Sequence, residues 1–288
     1  MNHSSQLLPA ESLVGSPQPF FQLLELNSNQ ASEYASAIQR LRDGDLTGIV
    51  VRNVYPTDFM HAITARLEAH DPKFLKTLFP ENFKSWFYGR NLNLMGTDPA
   101  TYFQQAAEFH QQMNELLSGE NAVSRRVMSL LSQLDEGRPY GAAPGPDPEQ
   151  NYMVTTFRGH AEGGYISAHC DNEQSVRDSY EHLGTLVADH MYSMVLMIGA
   201  AEDGGDLEVF DYRIEPGERA GRTGAIAGKV DLSALSSVQI KLEPGDLVVV
   251  DSGRYLHQVT PVVGTKNRWV ACSFMARSLE RNAVYCWG

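Results

Sequence analysis

Gly164-Tyr165-Ile166-Ser167-Ala168-His169-Cys170-Asp171 is the stretch on which the reading of this chain turns. In an extended strand, residues two apart project from the same face, so His169 and Asp171 point one way and Cys170 the other. An imidazole nitrogen and a carboxylate oxygen at that spacing can take two adjacent positions on one metal ion. A histidine from a second strand would complete three ligands on one face of an octahedron and leave three positions for other molecules. His257 is the natural third member, because Pro244-Gly245-Asp246-Leu247-Val248-Val249-Val250-Asp251 reads as a turn and strand that return the chain across a β core. A His-X-Asp pair alone is a common accident. The remaining histidines, His3, His61, His70, His110, His160, His182 and His190, have no ligand at strand spacing and read as surface or structural.

Around that stretch, the second half of the chain predicts eight short strands separated by Gly, Pro and Asp turns: Tyr152–Phe157, Tyr165–His169, Tyr192–Ile198, Leu207–Tyr212, Val238–Leu242, Leu247–Asp251, His257–Val263 and Arg268–Met275. Eight such runs suggest a double-sheet jelly roll. The first half reads mainly as helices: Ala31–Arg42, Pro56–Ala69, Pro99–Leu117 and Ala122–Leu134, with one apolar strand at Gly48–Asn53. Gly137–Gln150, dense in Gly and Pro, is a connector. The expected class is therefore α+β, a double-stranded β-helix (jelly roll) core with a helical N-terminal half packed on it. Residues 1–19 read as a flexible tail and 20–288 as a single domain, helical over 20–150 and jelly roll over 151–288.

Composition narrows the function. The formal net charge of −12, from 35 acidic against 23 basic residues, opposes a phosphate backbone, and no Lys/Arg run offsets it, so nucleic acid is not an expected partner. No segment approaches the roughly 18 apolar residues of a membrane span, and Met1–Pro19 lacks the basic and apolar regions of a secretion signal. Cys170, Cys272 and Cys286 are odd in number and scattered, which fits a reducing, cytoplasmic setting.

The pattern His169-X-Asp171, a distant His257 and a basic residue soon after resembles the iron(II)/2-oxoglutarate dioxygenase superfamily. His257-Gln258-Val259-Thr260-Pro261-Val262-Val263-Gly264 is similar to the distal-histidine stretch of its prolyl-hydroxylase-like members. Gly204-Gly205-Asp206-Leu207 and Pro244-Gly245-Asp246-Leu247 resemble two further turns of that superfamily, in the same order. Within it, Gly245–Val262 is most similar to the stand-alone halogenases of hapalindole-type alkaloid pathways and their hydroxylase relatives. The resemblance covers about Tyr152–Met275.

The resemblance implies Fe(II) held by His169, Asp171 and His257, with 2-oxoglutarate and dioxygen as co-substrates. It also implies a cation for the far carboxylate of the keto acid. Lys266 stands nine positions after His257, where the superfamily usually places that cation, and Arg268 eleven after. Gly264–Asn267 reads as a turn and strand alternation resumes at Arg268, which favours Arg268; its guanidinium can meet a carboxylate with two parallel hydrogen bonds. Thr155 or Tyr165 could add a hydroxyl, or serve packing. In the resembling halogenases a Gly or Ala replaces the acidic ligand and halide enters; here Asp171 fills that position, which implies hydroxylation of a small molecule. Desaturation and ring closure use the same ligands.

Trp86, Tyr88 and Arg90, in the aromatic stretch Ser85–Asn91, are candidates to line a substrate pocket or to pin helices together. Asn172–Asp189 suits a lid or a surface helix, and Glu215–Lys229 an exposed loop. Three rival readings remain: a peptide or protein hydroxylase, a metal-binding jelly-roll module without catalysis, and a cupin-type enzyme, whose metal sets are richer in histidine.

Overall fold

The computed structural model describes residues 20–94, 98–174, 177–214 and 230–288. The expected tail over 1–19, the loop Glu215–Lys229 and Thr97 of the expected helix start lie outside the described residues.

Four helices form where the sequence carries their signals. α1 (Ala37–Asp43) stops at Gly44, whose φ of 88° lies in the left-handed region that glycine tolerates. The helix expected over Ala31–Arg42 is split, with a 3-10 turn over Ser28–Tyr34 preceding α1. The carbonyl of Ala35, at the break, accepts instead from the N–H of Glu136 at 2.8 Å. α2 (Thr57–Glu68) follows Pro56, carries Asp58 in its first turn and buries Met60, Ile63 and Leu67 on one face. α3 (Pro99–Leu116) is capped by Asp98, which accepts from the N–H of Thr101. α4 (Val123–Gln133) buries Val123, Val127, Leu130 and Leu131.

The strands are β1 (Leu23–Asn27), β2 (Gly48–Arg52), β3 (Lys76–Leu78), β4 (Ser85–Tyr88), β5 (Tyr140–Ala142), β6 (Thr156–His160), β7 (Ile166–His169), β8 (Tyr192–Gly199), β9 (Asp203–Gly204), β10 (Leu207–Arg213), β11 (Ser237–Ile240), β12 (Leu247–Val250), β13 (Tyr255–Val259), β14 (Val262–Val263), β15 (Arg268–Arg277) and β16 (Val284–Trp287). A large sheet runs in the order β1-β2-β12-β8-β15-β6-β4-β3, with β16 and β5 attached beside β15. A smaller one runs β11-β10-β13-β7, and β14 pairs with β9. All pairings are antiparallel except β1 with β2 and β16 with β5. The helical first half thus also donates β1 to β5, all to the large sheet, so helices and strands are less segregated along the chain than the sequence pattern suggests.

Alternation along the large sheet sorts its side chains between two interiors. Ile49, Val51, Met194, Leu196, Leu247, Val249, Trp269 and Ala271 join the helix residues Met60, Ile63, Leu67 and Val127 in one cluster. Their neighbours Val50, Met197, Val248, Val250 and Val270 face Leu207, Val209, Ile240 and Tyr255 of the small sheet. The large sheet is therefore a middle layer, buried on both faces, and β15 is accordingly an almost unbroken apolar run.

Asp135 fixes the helical layer to the sheets. Its side chain is fully buried and accepts from both Nη atoms of Arg42 (3.0 and 2.5 Å), Nη1 of Arg138 (2.5 Å) and the Tyr140 hydroxyl (2.9 Å). Burial pushes this carboxyl up, but the hydrogen bonds and charges of Arg42 and Arg138 outweigh it and hold it below the usual range. A lowered folded-state value gives stability present above about pH 4, the unfolded carboxyl's range, and lost as pH falls below it. Asp135→Ala leaves the guanidinium of Arg42 buried beside no anion and should cost about 3–5 kcal/mol, read as a lowered urea midpoint at unchanged slope.

Candidate metal centre

β7 and β13 are paired so that His169 stands directly across from His257. The chain leaves β7 at His169, and Asp171 opens the next 3-10 turn, its N–H held by the carbonyl of Ser252 at 2.9 Å. One ligand atom from each of the three side chains lies within 4.8 Å of the others. Nε2 of His169 is 3.4 Å from one Asp171 oxygen, Nε2 of His257 is 3.9 Å from the other, and the ring centroids are 4.4 Å apart. The alternate residues Ala168 and Cys170 pack with Phe210 and Leu256 on the far side of the small sheet.

Both imidazoles are oriented by one local device. Nδ1 of His169 meets the carbonyl of Ser167 at 2.8 Å, and Nδ1 of His257 meets that of Tyr255 at 3.0 Å. A carbonyl only accepts, so each Nδ1 carries a proton and each Nε2 is the ring atom left to face Asp171. Burial, followed by the neighbouring His169, pushes His257 down to about 4, so it is neutral at physiological pH. Two imidazole nitrogens, freed of their protons when they ligate, and one carboxylate form the donor set of non-haem Fe(II) oxygenases.

A turn ahead of β13 sets the height of His257. Buried Asp251 accepts from His190 Nε2 at 2.9 Å and from the Arg254 guanidinium, whose Nη2 also donates to the carbonyl of Leu41 at 3.0 Å. The end of α1 is thereby tied to the strand that delivers the distal histidine.

At one end of the face opposite the triad lies Arg268, 3 % exposed, while Lys266 is exposed. Burial pushes the Arg268 guanidinium down to about 10, still a cation at neutral pH, and its buried Nε has no hydrogen-bond partner. The Gly204–Gly205 turn makes room for it. A Cβ on Gly205 would sit 2.7 Å from Cδ of Arg268, and one on Gly204 would overlap the carbonyl oxygen of Pro261. A buried guanidinium that forms no ion pair among the described residues, on the sheet face that looks toward a metal triad, fits the far carboxylate of a keto acid chelated there. Thr155 donates to the carbonyl of Cys272 at 3.0 Å, within the sheet, and half-buried Tyr165 packs on Phe83, so neither is brought beside Arg268 by a contact.

The aromatic stretch, between α2 and α3 in the chain, forms a strand: Ser85–Tyr88 is β4 of the large sheet. Tyr88 joins the helix-side cluster and donates to the carbonyl of Leu67, and Trp86 packs edge-on against Trp269 and over Gly159. Both project from the face turned away from the small sheet, and Phe87, between them, projects toward it. Half-buried Arg90, past the strand, bonds through its N–H to Met153 Sδ at 3.1 Å. β6 also departs from expectation. It spans Thr156–His160 instead of Tyr152–Phe157, because Tyr152 and Val154 direct their N–H groups to Ala143 and His110 outside any strand. That shift puts Arg158 and His160 on the interior face beside Arg268, and His160 is buried rather than on the surface. After Asp171, Tyr180 and Leu183 are buried anchors, with Tyr180 accepting from Trp287 Nε1 at 3.4 Å. A surface cleft of about 720 Å³ between α3 and residues 147–151 shares no residue with the triad.

Residues 20–288 match the family described as carrier-protein-independent halogenase WelO5. The chain belongs to that family. Among curated proteins, none matches it in sequence. Two structures of an N-substituted L-amino acid dioxygenase from Burkholderia ambifaria AMMD are similar in fold. The first has a TM-score of 0.55 at 18% identity, covering 88% of this chain and 91% of that one. The second, in complex with α-ketoglutarate, has a TM-score of 0.52 at the same identity and coverage. A prolyl-4-hydroxylase from Pseudomonas putida is more distant, with a TM-score of 0.42 at 16% identity, covering 83% and 96%. Kinship with the WelO5 family and the His/Asp/His donor set together point to iron(II), 2-oxoglutarate and dioxygen as the cofactor set. Among the described residues, no helix is long and apolar enough to cross a membrane.

Replacing a direct ligand should exceed the roughly 10–100-fold loss of metal affinity that accompanies removal of a ligand's hydrogen-bond partner. His257→Ala is therefore expected to weaken Co(II) binding by more than about 100-fold in a competitive chelator titration, with Cys170→Ala, on the opposite face, as the control that binds normally.

Proposed function

We propose that this WelO5-family member is an Fe(II)/2-oxoglutarate-dependent oxygenase that hydroxylates an unactivated C–H bond of a small molecule, releasing succinate and CO2. The observation that carries the reading is the Asp171 carboxylate, 3.4 Å from His169 Nε2 in the place where halide enters related halogenases. Iron bound by His169, Asp171 and His257, with keto acid and dioxygen, supplies the oxidising chemistry: one oxygen atom goes to succinate and the other to the substrate carbon.

The chain's own groups have distinct parts in this reading. Tyr255 and Ser167 carbonyls hold the imidazoles in the ligating tautomer. Arg268, seated against Gly205, binds the far carboxylate of 2-oxoglutarate and fixes its direction of approach. Thr155 and Tyr165 have structural partners and serve packing. Two apolar layers around the middle sheet keep the interior dry, which strengthens each charged contact within it. We read the two facing sheets as the jelly roll and residues 20–288 as one oxygenase domain. The three cysteines, all buried and unbridged, fit a reducing cytoplasm. Membership of a halogenase family supports halogen transfer as a second reading, which the presence of Asp171 disfavours.

Anaerobic enzyme titrated with Fe(II) and 2-oxoglutarate should develop the weak visible charge-transfer band of a chelated keto acid; no band at saturation would remove the mechanism. Arg268→Met, which deletes two charge-assisted hydrogen bonds, should raise the 2-oxoglutarate dissociation constant by about 100-fold or more in that titration. Asp171→Gly should lose most oxygen-dependent succinate release and, with excess chloride, gain chlorinated product by mass spectrometry. Undiminished hydroxylation in that variant would show that Asp171 is not a ligand.

A further inference from the structure

Arg158 is a second interior guanidinium for which the co-substrate reading has no use. It is central in β6, paired with Val270 of β15 on one side and Phe87 of β4 on the other. Val270 packs toward the small sheet, so Arg158 shares the face that looks at His169 and His257. Its Nη2 is buried without a hydrogen-bond partner, and its Nε has only a long contact, 3.5 Å, to Thr156 Oγ1. Among the described residues it forms no ion pair.

The direction of the side chain separates it from the keto-acid seat. Nε leans on Thr156, which pairs with Cys272, and Cζ lies 5.5 Å from the ring centroid of Phe274 and 5.2 Å from that of Phe87. The head group is thus turned toward the Cys272–Phe274 end of the face. Arg268 and His160, paired with each other, occupy the opposite end.

Charge balance defines what Arg158 needs. A divalent iron, Arg268 and Arg158 bring four positive charges, and Asp171 removes one, leaving three. Neighbouring His160 is neutral, pushed far down by burial and then by Arg268 and Arg158, and the Cys272 thiol is kept protonated by burial. The dianion 2-oxoglutarate cancels two of the three. One positive charge remains, on a half-buried guanidinium whose Nη2 is itself shut off from water and unpaired.

We infer that Arg158, flanked by Phe87 and Phe274, binds the carboxylate of a singly charged substrate, so that the substrate class is an organic monocarboxylic acid. A planar fork flanked by two aromatic rings suits a carboxylate attached to an apolar or aromatic skeleton. The inference rests on the proposed Fe(II)/2-oxoglutarate chemistry.

The test uses anaerobic enzyme loaded with Fe(II) and 2-oxoglutarate. Failure of the charge-transfer band to form defeats the oxygenase reading itself, and the monocarboxylate proposal falls with it. With the band present, phenylacetate and indole-3-acetate are titrated beside phenylacetamide and indole-3-acetamide, by equilibrium dialysis and by perturbation of the band. The acids should bind at least about ten-fold more tightly than their amides, the worth of one charge-assisted contact. Arg158→Gln should abolish that preference and Arg158→Lys should retain part of it, both with 2-oxoglutarate affinity within about two-fold of the parent, well under the loss of one such contact. Equal binding of acid and amide by the parent enzyme, or no binding of either acid at millimolar concentration, overturns the proposal without recourse to any variant while leaving the oxygenase reading intact. An equal loss of 2-oxoglutarate affinity in Arg158→Gln also overturns it, since Arg158 would then serve the co-substrate.

Discussion

The pairing of His257 with His169 across two antiparallel strands is the constraint on which the site depends. Strand pairing places the two rings 4.4 Å apart, and a hydrogen bond from each Nδ1 to the carbonyl two residues earlier turns both Nε2 atoms inward. A one-residue slip in that register would move a histidine to the outer face among Phe210 and Leu256. Much of the surrounding structure guards against the slip. Asp251 and Arg254 fix the turn before β13 to α1, and the carbonyl of Ser252 holds Asp171 where the chain departs from β7.

The layered architecture explains how polar groups survive in such an interior. The middle sheet is covered by helices on one face and by the small sheet on the other, so most of its residues are apolar. Where Thr156, Arg158, His160 and Arg268 interrupt that pattern, they do so together, on one face, opposite the histidines. An isolated buried polar residue would be a defect; a set of them sharing a face with a metal triad is a place built for charged ligands.

That same exception limits what the sequence reveals. His169, Asp171 and Cys170 are legible because alternation is local and two residues decide it. His257 is legible through its motif, and Arg268 through the resumption of alternation after a turn. Arg158 and His160 are hidden because a reading by hydrophobic pattern assigns the strand to Tyr152–Phe157, where the apolar residues are, and leaves the polar residues after it outside any strand. Trp86 and Tyr88 mislead for the related reason of parity: once Ser85–Tyr88 is a strand, every second residue must face away, and Phe87 is the one that looks inward. Of the strands contributed by the first half, β3 to β5 have only three or four residues and do not announce themselves beside long amphipathic helices.

The missing Cβ of Gly205 also has a thermodynamic consequence. The stem of Arg268 occupies the gap that the glycine leaves, so the guanidinium is immobilised by the fold before any ligand arrives. Freezing a side chain of this kind on association ordinarily costs about 0.5–1.5 kcal/mol. Here that entropy is lost during folding, and the anion meets a pre-organised fork.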